Sequence, residues 1–455
     1  MARAGAARGE IQMTEGSLWK NILIFSIPLV FSQLLQVMFN MADVAVVGKF
    51  ASDTALGSVG STSTLVTLFT GFLIGMGNGV NVRVAQHLGA QHREETSRAV
   101  HTAFLLCLLA GVGIMALCLA LAANMLEMLH TKDDLLPGAV LYFRIYALGM
   151  PALGVFNFGN AVLSANGDTK RPLLYLTIAG ILNVILNLFF VIACRMAADG
   201  VALASVISQY VSAILVVWHM MRLNDACKFR FRELRFHGDE VGRILGLGVP
   251  AGIQHMIFAI ANLFIQAAVN SFDSTMVSGN AAAANTDTII YNIMMAFYTA
   301  CSTFMGQNWG AGHKKRMMDS YLISLFYAFA VAAVLGVAFY FAGRPFLYVF
   351  TNSADVVEAG MQRMKIMCFS YAISAFMDNT IAACRGLGRT IVPTVVVIMG
   401  SCVFRVIWVY TIFAHYHTIP SLYLLYAFSW TITAAAEIVY FLHCFRKLRL
   451  VPETA

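Results

Sequence analysis

The sequence predicts an all-α membrane protein of twelve spans, arranged as two parallel six-helix repeats. Three observations carry that reading. Of the 455 residues, 59% are hydrophobic and only 12% are charged, with a mean hydropathy of +0.73. Many apolar runs reach the ~20 residues needed to cross a hydrocarbon layer of about 30 Å. Short motifs of the first half also return in the second at a fixed offset. A soluble core cannot hide so much apolar surface behind so few charges. The runs are continuous and too long for the alternating strands of a membrane barrel.

The first strongly apolar run begins after Lys20, and no small-residue cleavage site follows. It is therefore expected to stay as a span, 19–47, and not to be removed as a signal peptide. Span 55–85 leads to a loop with Arg93 and Arg98, which opens span 98–125. Span 136–163 ends before Lys170 and Arg171, which open span 171–194, and span 198–221 closes the first half. The link Arg222–Arg243 carries Lys228, Arg230, Arg232 and Arg235. Spans 242–271 and 279–309 follow, and Lys314, Lys315 and Arg316 precede span 317–343. Span 355–384 ends at Arg385 and Arg389, and spans 391–413 and 420–445 end at Arg446, Lys447 and Arg449. The opposite side has little beyond Lys49, Lys132, Arg195 and Arg344, so the positive-inside rule places both termini in the cytoplasm. The expected domains are an N-terminal bundle 1–221, a cytoplasmic linker 222–241 and a C-terminal bundle 242–455.

The net charge of +7 suits loops facing anionic lipid and cytoplasm, and no nucleic-acid partner is expected. Nine cysteines lie scattered, mostly in apolar runs, without a CxxC pair, so neither a disulfide nor a metal framework is visible.

The repeat is the more informative signal. Gln86–His92 (QHLGAQH) returns as Gln307–His313 (QNWGAGH), an offset of 307 − 86 = 221. Gly167–Pro172 (GDTKRP) returns as Gly388–Pro393 (GRTIVP), and Arg144-Ile145 as Lys365-Ile366, at the same offset. Pro28 and Asn40 return as Pro250 and Asn262, both offset by 222. Six spans precede each return, so the halves keep the same orientation and an axis along the membrane normal relates them. Two facing bundles imply a central cleft that opens to either side, as in secondary transporters.

Candidate functional residues follow from depth. Asp43 lies near the outer end of span one. Asn183 and Asn187, one turn apart, fall in the outer half of span five, and Ser205 in that of span six. With Asn40 they place five oxygen-bearing side chains at one depth, able to hold a sodium ion or a proton. The structural alternatives are helix-to-helix hydrogen bonds for the asparagines and snorkelling toward Lys49 for Asp43. In the second half, Asn262, Gln266, Asp287 and Arg405 share the outer depth. A mid-membrane charge costs about 2.5–3.5 kcal/mol on insertion scales, so Asp287 and Arg405 are expected to pair, as a structural bridge or a substrate site. Asp378 and Glu437 lie lower, where they line an inward cavity or serve packing. His87, His92 and His313 read as a solvated basic face. Gly71–Gly79 (GFLIGMGNG) has small-xxx-small spacing suited to close helix packing, and no nucleotide-binding loop occurs. The many Met and Phe side chains can line a forgiving pocket for organic cations.

The stretch ADVAVVG around Asp43, the paired QHLGA and GQNWGAG segments, SANGDTKRP with CRGLGRTIVP, and PAGIQ at Pro250–Gln254 are together similar to the multidrug and toxic compound extrusion (MATE) family. The resemblance covers nearly the whole chain, from Pro28 to the last span. It implies a twelve-helix, V-shaped transporter that expels cationic or amphipathic drugs in exchange for entering sodium ions or protons. It also assigns Asp43, Asn183, Asn187 and Ser205 to cation coupling. Many members have Asp where this chain has Asn187, and the acid that some carry in span seven is missing, with Phe258 near that position. The expected protein is thus a non-enzymatic, monomeric efflux antiporter of the bacterial cytoplasmic membrane, contacting lipid and small molecules. No cofactor is expected beyond the coupling ion, with a possible sodium at Asp43, Asn183 and Asn187. The alternative is a flippase for a lipid-linked precursor, which a strongly basic cleft would favour.

Overall fold

The computed structural model describes residues 11–448, and among them every regular element is helical. Both chain ends, and Arg449 with them, lie outside the described residues. The helices are α1 Leu18–Phe50, α2 Asp53–Gly89, α3 Arg93–Met128, α4 Leu136–Ala147, α5 Met150–Ala165, α6 Lys170–Leu188, α7 Ala198–Met221 and α8 Gly238–Val269. They continue as α9 Ser274–Gly310, α10 Lys314–Phe341, α11 Gly343–Leu347, α12 Ala354–Gly386, α13 Ile391–Val397, α14 Phe404–Trp408, α15 Ala414–Tyr416 and α16 Ile419–Lys447. Eleven continuous stretches among the described residues are long and apolar enough to cross a membrane; α4 and α5, bent by 44°, make a twelfth when taken as one. Pro151 explains the bend locally. It stands at the start of α5, where a ring without an N–H is tolerated only because the preceding helix has ended. The eleventh span, Ile391–Tyr416, is one continuous run in which π-helical turns at Ile398–Val403 and Val409–Phe413 separate α13, α14 and α15.

Packing divides the chain into two compact units, and the dividing line differs from the expected linker. Among the described residues, unit 1 comprises 11–12 and 31–256, and unit 2 comprises 13–30 and 257–448. Two helices are therefore shared: α1 gives its first part to unit 2, and α8 gives its first part to unit 1. Each carries an internal proline, Pro28 and Pro250, not far from the changeover. Sequence halves and packed units differ because helix ends group with the side chains they bury against.

In unit 1 the core runs between α2, α3, α5 and α7 through Val80, Val84, Val100, Phe158 and Val216. The small-residue stripe of α2 meets α8 at close range. A Cβ on Gly75 would lie 2.2 Å from the Gly252 nitrogen, and one on Gly79 would lie 2.5 Å from the Gly248 nitrogen. Only hydrogen fits there, so these glycines set the helix separation. The linker is not a free tether. Phe229 is buried and stacks on His101 at 5.4 Å, while the Arg230 amide donates to His101 Nε2 at 3.0 Å. At its end, Arg83 donates twice to Glu240, at 2.7 and 2.8 Å, and His87 lies 3.0 Å from the same carboxylate. His87 is thus buried in an ion-pair network and not part of a solvated face, because α8 returns an acid onto the end of α2.

Unit 2 packs α9, α10, α12 and α16 around Met294, Met305, Met317, Ala375 and Phe441. Residues 13–30 are built into it: Phe25 meets Phe304 edge to face at 5.5 Å, and Arg316 donates to the carbonyls of Met13 and Gly16.

Two of the repeated motifs, QHLGAQH with QNWGAGH and GDTKRP with GRTIVP, turn out to mark helix-ending turns. His92 N donates to His87 O at 3.1 Å and Gln91 N to Leu88 O at 3.1 Å; the second copy has His313 to Asn308 at 2.9 Å and Gly312 to Trp309 at 3.1 Å. The GD and GR copies repeat the pattern: Asp168 to Leu163 and Arg389 to Cys384, both 2.9 Å. This pair of bonds satisfies orphan carbonyls and requires a left-handed residue, for which glycine carries the least strain. Gly312, Gly167 and Gly388 have φ of 77°, 88° and 77°, whereas Gln91 holds 58° without being glycine.

Candidate functional site

Unit 1 gathers four of the five side chains expected to share one depth. Asn183 and Asn187 stand one turn apart on α6, so both face α1 and α7. Asn187 Nδ2 donates to Asp43 Oδ1 at 2.5 Å and to Asn183 Oδ1 at 3.2 Å. Ser205 Oγ, from α7, donates to Asp43 Oδ2 at 3.3 Å and accepts from Asn183 Nδ2 at 3.3 Å. Asn187 is wholly buried, Asn183 and Ser205 nearly so, and Asp43 is half-buried. Asn40 is not part of the group: it is exposed, one turn before Asp43 on α1, and the hydrogen bonds of the cluster run among the other four side chains. Tyr142 and Tyr146, stacked at 6.0 Å on α4, lie within electrostatic reach of Asp43, and the sequence reading did not name them.

Two features give this cluster chemistry. Each oxygen of Asp43 receives one hydrogen bond from a neutral donor, and among the described residues no Lys, Arg or His pairs with it. Its negative charge is left for something else to balance. Asn187 Oδ1, beside it, is buried with no hydrogen-bond partner. A buried acceptor left empty is costly, so it marks a place for a proton donor or a small cation. The donor set is all oxygen, as a hard monovalent cation or a proton requires.

Unit 2 departs from expectation. Asp287 of α9 pairs with Arg363 of α12, not with Arg405. Arg363 also donates from Nη1 to the Asn280 carbonyl at 3.0 Å and to Asn280 Oδ1 at 2.7 Å, and Tyr423 donates to that Oδ1 at 2.5 Å. Arg363 sits on α12, whose long contact with α9 brings it beside Asp287; the sequence signal was simply a basic residue inside a predicted span. Asn262 and Gln266 are exposed, and Gln266 bonds Asn270 at 2.9 Å, so neither joins Asp287. Arg405 is 2% exposed and donates from Nε to Ser429 Oγ at 3.1 Å. Asp378 is half-buried within electrostatic reach of Arg385 and, more weakly, of Arg405. Glu437 is fully buried, with Arg385 as the charge facing it.

A multi-pass helical protein built on an internal repeat, with polar side chains gathered inside its spans, has the architecture of a membrane transporter. The MatE family model matches residues 28–189 and again 250–411, two copies separated by 250 − 28 = 222 residues. The chain belongs to the MatE family of multidrug efflux transporters. The two matches begin at Pro28 and Pro250, the same residues that mark the repeat in the sequence. The chain is similar to "Probable multidrug resistance protein YpnP" of Bacillus subtilis, 28% identical and covering 79% of this chain and 80% of that one. It is also similar to "FAD transporter" of Shewanella oneidensis, 23% identical over 74% and 75% of the two chains. Among solved structures, an outward-facing multidrug resistance MATE family transporter of the MOP superfamily has a TM-score of 0.89 at 21% identity, covering 97% of this chain and 99% of that one.

Proposed function

We propose that this protein is a cation-coupled multidrug efflux antiporter of the cytoplasmic membrane. It exports cationic or amphipathic small molecules while protons or sodium ions enter through Asp43. It works as a monomer with both termini in the cytoplasm, without a cofactor or a nucleic-acid partner. The observation that carries the reading is the unpaired Asp43 carboxylate beside the empty acceptor Asn187 Oδ1. A bound proton or sodium ion balances the charge at Asp43 and changes the hydrogen bonds joining α1 to α6 and α7. Antiport needs that bound state to be favoured differently when the protein faces outward and inward, because only differential binding shifts such an equilibrium.

The relatives' names support an exporter of organic molecules and differ in cargo: multidrug resistance for one, FAD for another. The expected outcome is that Asp43→Asn, which keeps the shape and removes the charge, lowers gradient-driven efflux of a cationic dye at least tenfold at equal expression. Vesicles given a sodium or a proton gradient separately identify the ion. Efflux by Asp43→Asn at the wild-type rate would refute the coupling role.

A further inference from the structure

The geometry points to a second binding site, inside unit 2 at the Arg405 guanidinium, for an organic anion that carries an aromatic ring. The ligand class is a carboxylate or a phosphate monoester. The inference rests on the transporter reading and extends its cargo from cationic to anionic and zwitterionic amphiphiles.

Arg405 is 2% exposed, yet its only hydrogen bond among the described residues runs from Nε to Ser429 Oγ. Nη2 is buried with no acceptor. The acids nearby are already engaged or stand off. Asp287 is held by Arg363. No ion pair joins Asp378 to Arg405 among the described residues, and the charge that acts most on Asp378 is Arg385. The guanidinium is instead walled by rings, with its carbon 4.5 Å from the Tyr426 centroid, 5.5 Å from Trp430 and 5.8 Å from Phe258. Ring faces attract a cation but cannot accept the in-plane N–H bonds of the fork, which point where an oxyanion fits. An arginine held only for structure would have a carboxylate or carbonyls around it, as Arg363 does with Asp287 and Asn280. Phe258 and Tyr426 are the partly exposed members of the cage, so a ligand ring entering with its anion meets apolar faces. An organic cation would face Arg405 with like charge and is disfavoured at this place. Unit 1 thus presents an acid without a cation, and unit 2 a cation without an acid.

The test uses the full-length protein in detergent and four matched probes: phenylacetate, phenyl phosphate, phenylacetamide and phenethylammonium. Binding is measured by calorimetry and by tryptophan emission, since Trp430 borders the site. Wild-type protein should bind phenylacetate or phenyl phosphate saturably, and the amide and ammonium at least tenfold more weakly. The tighter of the two anions shows whether carboxylates or phosphate esters are the natural class. Arg405→Met should weaken anion binding at least tenfold, and Arg405→Lys, which keeps the charge but loses the fork, should weaken it less. If Arg405→Met does not fold, the anion-over-amide preference of the wild type and the Arg405→Lys result decide. No anion binding, equal binding of the amide, or equal binding by Arg405→Met overturns the site. Efflux of a cationic dye by wild-type vesicles tests the transporter reading separately, so one can fail while the other stands.

Discussion

At the scale of single residues, charge in this protein is placed by what surrounds it. Asp287 and Arg363 are buried partners, 17% and 8% exposed at the side chain, and Asn280 and Tyr423 complete the arginine's bonding. Removing one partner leaves the other as an uncompensated charge out of water, which typically costs about 3–5 kcal/mol. Asp287→Ala is therefore expected to destabilise unit 2 by roughly that amount, read as a lower unfolding temperature in detergent. The double variant Asp287→Leu with Arg363→Met removes both charges and should recover most of the loss. A double variant no more stable than Asp287→Ala would show that the pair is not what holds α9 to α12. Asp43 differs: among the described residues its oxygens are bonded by neutral donors, so neutralising it leaves no opposite charge uncompensated.

Between elements, glycine decides how closely helices approach. On α2, Gly79 faces the backbone of Gly248, with 2.5 Å available where a Cβ would stand. Gly60 of the same helix has nothing within 4 Å of that position. Gly79→Val must separate α2 from α8 and should cost about 3 kcal/mol or more, since the obstruction is backbone and cannot rotate away. Gly60→Ala should be neutral or stabilising by about 0.5–1 kcal/mol, because alanine is the better helix former. Equal thermal stability of the two variants would contradict this account of the interface. The helix-ending turns work at the same scale. The recurrence of Gly167 as Gly388 reflects a shared left-handed backbone, φ 88° and 77°, and carries no chemistry of its own.

For the whole molecule, the two family matches at 28–189 and 250–411 establish the internal repeat, while packing assigns parts of α1 and α8 across the sequence halves. The distribution of Lys and Arg makes an orientation testable. Lys315, in the first turn of α10, and Lys132, in the loop after α3, are both exposed and are expected on opposite faces of the membrane. Cys194 and Cys444 are the native thiols not buried, so they are replaced by serine first. In intact cells a membrane-impermeant thiol reagent should then label Lys132→Cys and leave Lys315→Cys unlabelled until the membrane is opened. The reverse pattern would invert the topology and place the Asp43 cluster toward the cytoplasm.

The fold class, the spans and the repeat were legible in the chain by itself, because hydrophobic run length and turn residues are local properties. The Asp43, Asn183, Asn187 and Ser205 group was also legible, since helix pitch fixes depth once the spans are known. Which side chains meet at a given depth is another matter. Rotation about each helix axis turned Asn40 outward, gave Asp287 to Arg363 and left Arg405 among aromatic rings. It also buried His87 against Glu240, a residue 153 positions away. Depth follows from counting residues along one helix, but partners depend on how several helices rotate and pack together, and only the tertiary structure decided that.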